Sequence, residues 1–207
     1  VNPLPESPAL AVLAGGKGSR LGGVLKAGLN YQGTPLLARL LSEVWEVSAG
    51  SGEATVVVGD AVVLRPLLSG LPGAEAVRWA REDPPFSGPV AALAAALPHL
   101  GPGFVLLLAS DQPAAAEGVR ALLQAAPGPD GVLLQDSEGR DQFLLGLYRV
   151  AALRRAVAQV IASGNSSQRL GAVIARLELA RVLAPGRSAE DIDEWADAAQ
   201  WGIEKGQ

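Results

Sequence analysis

The chain has 207 residues, 49% of them hydrophobic, and carries 17 Lys and Arg against 21 Asp and Glu for a formal net charge of −4. That length and apolar content suit a single α/β domain over 1–207, and dispersed basic residues under a net negative charge exclude a nucleic-acid or anionic-membrane surface. The absence of cysteine and the presence of one histidine exclude disulfides, thiolate sites and histidine zinc clusters, leaving carboxylates as the available metal ligands.

In chain order, the hydrophobic pattern predicts a strand at 9–14, a helix at 34–47, a strand at 54–58 and a helix at 61–69. A strand at 75–79, a helix at 88–97, a strand at 103–109, a helix at 114–126 and a strand at 131–135 follow. Helices at 150–163, 166–176 and 193–201 close the chain, with Thr34 and Asp193 read as N-terminal helix signals. Apolar runs at 143–147 and 177–183 are candidates to join the same sheet, the first of them antiparallel. Val- and Leu-rich strands without polar alternation imply a sheet buried on both faces: a three-layer, doubly wound α/β fold, mostly parallel, with one reversed strand. No segment approaches the roughly 20 apolar residues of a membrane span, and the expected location is cytoplasmic.

The first strand breaks into Leu13-Ala14-Gly15-Gly16-Lys17-Gly18-Ser19-Arg20-Leu21-Gly22-Gly23, with Lys26 close behind. This is not a P-loop, because Gly18 follows Gly16-Lys17 where Ser or Thr is required and Ala11 stands at the first glycine position. Nor is it a dinucleotide fingerprint, since Leu21 occupies the third glycine position. The residues alone allow either a tight strand-to-helix turn or a backbone cradle for phosphate, with Arg20 and Lys26 supplying charge. Asp111, in Ser110-Asp111-Gln112-Pro113 at the end of a buried strand, is either a helix cap or a carboxylate placed to hold a cation. Asp191 and Asp193 pose the same choice near the C-terminus, and Asp83 before Pro84 reads as a loop acid or a ligand group.

The glycine loop resembles the Leu-Ala-Gly-Gly-x-x-x-Arg-hydrophobic-Gly signature of nucleotidyltransferases, and of the molybdenum cofactor guanylyltransferase family in particular. Gly33-Thr34-Pro35-Leu36-Leu37, Phe86-Ser87-Gly88-Pro89-Val90-Ala91-Ala92-Leu93 and Ser110-Asp111-Gln112-Pro113 are similar to further motifs of that family, as are 143–149 to a strand leading into a helix and 166–177 to a small helix near the pterin side, in the family's order. The resemblance implies a nucleotide-diphospho-sugar transferase-like, Rossmann-type fold. It also implies transfer of GMP from GTP to molybdenum-loaded molybdopterin, with release of pyrophosphate.

On this reading Leu13, Ala14, Gly15, Gly16, Gly18 and Ser19 bind the nucleotide, with backbone N–H groups of 14–18 on the triphosphate. Arg20 braces pyrophosphate, Lys26 meets the α-phosphate, and Asp111 holds Mg2+, shared with Asp193. Asp83 and Gly88 lie on the guanine side, while Arg149 and 165–169 are donors toward the pterin. The implied partners are GTP, molybdopterin and, transiently, molybdenum-insertion or acceptor enzymes.

The sequence departs from the family pattern at Leu25, where an Asp usually precedes the lysine, and at Gly59 and Ser110. Two alternatives therefore stay open. One is another small-phosphate nucleotidyltransferase, either a cytidylyltransferase on the same pterin or a sugar-phosphate enzyme. The other is a non-catalytic nucleotide or pterin carrier.

Overall fold

The computed structural model describes residues 7–16, 18–163 and 169–205. Strand β1 (Ala9–Leu13) leads through the glycine loop to two short strands, β2 (Asn30–Tyr31) and β3 (Thr34–Pro35), and to helix α1 (Leu36–Ser48). Then come β4 (Thr55–Val58), α2 (Ala61–Leu64), β5 (Arg78–Ala80), α3 (Pro89–Ala96), β6 (Phe104–Ala109) and α4 (Ala115–Gln124). Next are β7 (Gly131–Gln135), β8 (Asp141–Arg149), α5 (Val150–Ala162), α6 (Leu170–Ile174), β9 (Leu179–Leu183), α7 (Trp195–Trp201) and β10 (Ile203–Glu204).

The main sheet has the order β5-β4-β1-β6-β8-β7-β9, and only β8 runs against its neighbours. Because strand side chains alternate between faces, Ala11 and Leu13 of β1 join one core with α3, α5 and α6, while Leu10 and Val12 join a second core with α1, α2 and α4. Val105 and Leu107 of β6 divide from Leu106 and Leu108 in the same way. The sheet is thus wound on both faces, and its parallel strands all end at one edge, where open α/β sheets receive ligands. No helix among the described residues is long and apolar enough to cross a membrane.

Several local expectations are corrected. Thr34 and Pro35 form a short strand against β2, so α1 starts at Leu36 without a side-chain cap from Thr34. The segment expected as one helix over 61–69 divides into α2, capped by Asp60 through the Val62 N–H, and a 3-10 turn at Arg65–Leu68 that contains Pro66. Proline supplies no N–H for a continuing α-helical ladder. The 75–79 strand begins only at Arg78, because Ala74–Ala76 is a 3-10 turn. Helix α7 starts at Trp195 behind a capping box of Glu194 and Asp197, not behind Asp193.

A second sheet, β10-β2-β3, has no clear sequence signal because its strands are two residues each. Beside it lies a small third core of Leu21, Leu29, Leu36, Ile192, Ala198 and Ile203. This core joins the glycine-loop segment to the C-terminal segment.

Candidate active site

The end of β1 is tied on both sides: the Ala14 N–H donates to the Val58 carbonyl (2.9 Å) and the Ser110 N–H to the Leu13 carbonyl (3.2 Å). The Ala14 N–H is therefore committed to the sheet and does not serve as a phosphate donor. The glycines beyond it serve two purposes. At Gly18 φ is +52°, its carbonyl accepts from both Leu21 and Gly23, and a Cβ would strike the Val24 carbonyl, so glycine is required by the turn itself. Gly15 and Gly16 have no such need. A Cβ on Gly16 would meet nothing within 4 Å, and one on Gly15 would meet only Glu82 Oε1 at 3.7 Å. That open space faces a cavity of about 600 Å³, within the range of small-molecule sites.

Leu13, Ala14, Gly15, Gly16, Lys26, Gly88 and Asp111 all line this cavity. Lys26 opens a single 3-10 turn, Lys26–Gly28, whose Ala27 is buried. Its Nζ lies 2.9 Å from Asp111 Oδ2 and 2.6 Å from Asp193 Oδ1, and Arg20 Nη1 lies 3.0 Å from Asp193 Oδ2. Four residues singled out at separate points of the sequence thus form one charged chain. The lysine needs no aspartate at position 25: Leu25 lines the cavity, and the two distant carboxylates orient the ammonium.

Buried packing places these charges. Leu21, next to Arg20, and Ile192, between Asp191 and Asp193, belong to the same third core. The Ile192 N–H donates to the Asp111 carbonyl at 3.0 Å, which locks the two acidic segments together. The carboxylate of Asp197 accepts from the Asp193 N–H (3.0 Å) and the Glu194 N–H (2.7 Å), holding the turn before α7. Asp111 does not cap α4, whose N-cap is Ala114 without a side-chain bond.

Electrostatics follow from this arrangement. Burial works to lower the Lys26 pKa, but the field of Asp111 and the hydrogen bonds that the ammonium donates to Asp193 and Asp111 outweigh it and hold the ammonium above the usual lysine value. The hydrogen bond from Lys26, with the charges of Lys26 and Arg20, holds Asp193 below the usual carboxylate value. Asp191 is raised, first by the loss of surrounding water and then by the like charges of Asp111 and Asp193. Asp191 is exposed over much of its surface and also lines the cavity.

Other expected residues fall elsewhere. Asp83 is exposed and does not line the cavity; its neighbour Glu82 does, and Glu82 Oε1 accepts from the Phe86 N–H at 3.0 Å. The chain has left β5 at Ala80, so strand alternation does not set which of these two acids faces the cavity. Gly18 and Arg20 stand outside the cavity lining, Arg20 reaching the site through Asp193.

Arg149 sits at the far edge of the sheet, opposite Phe104 at the start of β6, because β8 is reversed. It therefore cannot serve the pterin side of this cavity. Gly59 donates to the Ala80 carbonyl, and a Cβ there would crowd Leu64, so its glycine reflects packing. The side chain of Ser19, together with Lys17 and 165–168, lies outside the described residues. Sequence reasoning gave no site role to Glu82, Gln142 and Leu144 among the lining residues, which follow no recognisable spacing, and noted Phe86 and Gln112 only as members of the motifs that contain Gly88 and Asp111.

A family model described as a MobA-like NTP transferase domain matches residues 10–182. The chain belongs to this family. A relative from Deinococcus radiodurans, named probable molybdenum cofactor guanylyltransferase, is 35% identical over 167 residues, covering 78% of this chain and 77% of its own. The molybdopterin-guanine dinucleotide biosynthesis protein A of Archaeoglobus fulgidus superposes with a TM-score of 0.65 at 21% identity, over 93% of this chain and 95% of that one. A nucleotidyl transferase from Methanothermobacter does so with a TM-score of 0.72 at 21% identity, over 94% and 95%.

The two structures establish the fold, and the family makes this MobA-like domain a nucleotidyltransferase. The MobA-like match ends before Asp191 and Asp193, so their place beside Asp111 is a result of the tertiary structure.

Proposed function

We propose that this chain transfers GMP from GTP to the terminal phosphate of molybdenum-loaded molybdopterin, releasing pyrophosphate. The observation that carries the reading is Lys26, held by Asp111 and Asp193 at a cavity whose Gly15-Gly16 floor leaves room for a ligand. The name of the Deinococcus radiodurans relative supports the choice of GTP and molybdopterin.

In this reaction an oxygen of the acceptor phosphate forms a bond to the α-phosphorus. The bond from that phosphorus to the oxygen bridging the β-phosphate breaks, and pyrophosphate leaves with the electron pair. The attacking group is already an anion, so no general base is required; positioning and charge neutralisation do the work.

Leu13 and Gly15 flank the purine, the Gly88-Pro89 turn closes over it, and Gly15 and Gly16 let the phosphates approach the backbone. Glu82, rather than Asp83, presents a carboxylate that can accept from the ring N–H and amino group of guanine. Lys26, whose ammonium has three donors, turns from its carboxylates to the α-phosphate, and Arg20 braces the departing pyrophosphate.

Two carboxylate oxygens from separate segments converge on one cation, the Lys26 ammonium. Among the described residues no group of three or more His, Cys, Asp or Glu could hold a metal. Such a sparse oxygen donor set suits Mg2+, which is commonly held by one or two carboxylates together with substrate phosphates. Asp111 and Asp193 would hold it, and when bound it would offset charge on the triphosphate. The proposed compartment is the cytoplasm.

The test is incubation of the purified protein with molybdenum-loaded molybdopterin and Mg2+, with GTP, CTP, ATP or UTP in parallel. Release of pyrophosphate with formation of a guanine dinucleotide, selective for GTP, is the expected result. CMP transfer, or GMP transfer only to sugar phosphates, would assign the chain to another nucleotidyltransferase class. Nucleotide binding without pyrophosphate release would assign it to a carrier.

A further inference from the structure

Asp111 and Asp193 are held in place through the backbone. The Ile192 N–H donates to the Asp111 carbonyl at 3.0 Å, and the Asp193 N–H donates to Asp197 Oδ2 at 3.0 Å. Arg20 Nη1 takes Asp193 Oδ2 at 3.0 Å, which leaves Oδ1 of that carboxylate to Lys26. The two acids are thus anchored groups that meet at the ammonium.

Lys26 is held differently. Its backbone is fixed, because the Leu29 N–H donates to its carbonyl at 3.1 Å and the next residue, Ala27, is buried. Its charge, however, sits at the end of a flexible four-carbon stem. Among the described residues, the hydrogen bonds to Asp111 Oδ2 (2.9 Å) and Asp193 Oδ1 (2.6 Å) are what hold the ammonium where it is. Lys26 lines the same cavity as Gly15 and Gly16, so the stem can swing to a bound phosphate without a change in the backbone.

The ammonium therefore sits on the two carboxylate oxygens that would hold a divalent cation. Mg2+ lies about 2.0–2.1 Å from its oxygen ligands, nearer than a hydrogen-bonded nitrogen, and brings two positive charges. Lysine and metal cannot share those oxygens, because like charges would be in contact. Nor can the lysine leave unreplaced without cost. Asp111 and Asp193 would remain together, partly buried, with their charges also acting on Asp191. A nucleotide changes both conditions at once: its phosphates give the ammonium a new anionic partner and supply the further oxygen ligands that two carboxylates lack.

We infer that Lys26 is a place-holding cation that keeps divalent metal off Asp111 and Asp193 until nucleotide phosphates draw its ammonium away, so that metal and nucleotide are taken up together. By linkage, the factor by which nucleotide tightens metal equals the factor by which metal tightens nucleotide. Departure of the phosphates returns the ammonium to the carboxylates and expels the metal. The switch rests on Asp111 and Asp193 being the metal ligands of the proposed reaction; the competition rests on the two contacts of Nζ.

The test measures Mn2+ binding by the whole chain without nucleotide, from the electron paramagnetic resonance signal of the free ion. Lys26→Met keeps the stem and removes the charge; it should bind Mn2+ about tenfold more tightly than wild type, within the usual range of coupling between two ligands. Arg20→Met removes an equal charge from the same carboxylate without clearing the shared oxygens, and should tighten Mn2+ by less than about threefold. Adding Asp111→Asn to Lys26→Met should abolish the gain. Melting curves check each variant, and Lys26→Gln serves where Lys26→Met does not fold.

Equal Mn2+ binding by wild type and the Lys26 variants overturns the inference. An equal gain in Arg20→Met does so too, since net charge alone would then explain the effect. A gain that survives Asp111→Asn places the metal on other ligands and likewise overturns it. Failure of the guanylyltransferase reading is scored separately, by the absence of pyrophosphate release, and leaves these titrations decisive.

Discussion

The ammonium of Lys26 donates to a carboxylate oxygen of Asp193 at 2.6 Å, although 167 positions separate the two residues in sequence. The contact exists because Ile192, fully buried, anchors the C-terminal segment to the core that also holds Leu21. Ile192→Ala should therefore cost about 2–5 kcal/mol of stability, the usual range for such a truncation. It should also lower turnover more than a comparably destabilising change in α5, because it loosens Asp193. Urea unfolding combined with pyrophosphate release measures both.

Lys26 and Asp111 occupy the point where charge develops in the proposed reaction. Lys26→Ala should reduce kcat by about 10²–10³, the usual effect of losing one preorganised donor. Asp111→Asn should lower turnover by orders of magnitude, with nucleotide binding in the absence of Mg2+ largely retained. A near-normal rate in either variant would contradict the assigned roles.

The glycines make a differential prediction. Gly18→Ala should lower the melting temperature, since alanine at φ +52° is strained and its Cβ meets the Val24 carbonyl. Gly16→Ala has open space and an unremarkable φ, so it should melt like the wild type yet bind GTP more weakly. Thermal melting with and without GTP separates the two.

The pH response of the Lys26–Asp193 pair has a definite sign. Asp193 is depressed, so its stabilisation is present above the ordinary carboxylate value and is lost as pH falls through its lowered value. Lys26 is raised, so its part is full below the ordinary lysine value and lost as pH rises through the elevated one. The difference in melting temperature between wild type and Asp193→Asn should be level from about pH 6 to about pH 8 and shrink below about pH 4. Because Asp193 is half-exposed, water screens the pair and the difference should be small.

The sheet and its helices were legible because apolar runs such as Phe104–Ala109 report burial on both faces, and the glycine loop with Arg20, Lys26 and Asp111 follows a compact pattern. Short strands such as Asn30–Tyr31 gave no period to read, and Glu82 was overlooked for Asp83 because facing is set by the path of the chain after β5.

Fold class, the glycine-loop motif and the main charged residues were thus determined by the sequence itself, since each depends on composition or on spacing over a few residues. Tertiary structure alone decided that Asp193 meets Lys26, that Arg149 lies at the wrong edge, and that the first residues of β8 complete the cavity. Those outcomes depend on strand direction, register and the packing of a small core around Ile192. Such quantities arise from contacts between distant segments and leave no local pattern in the chain.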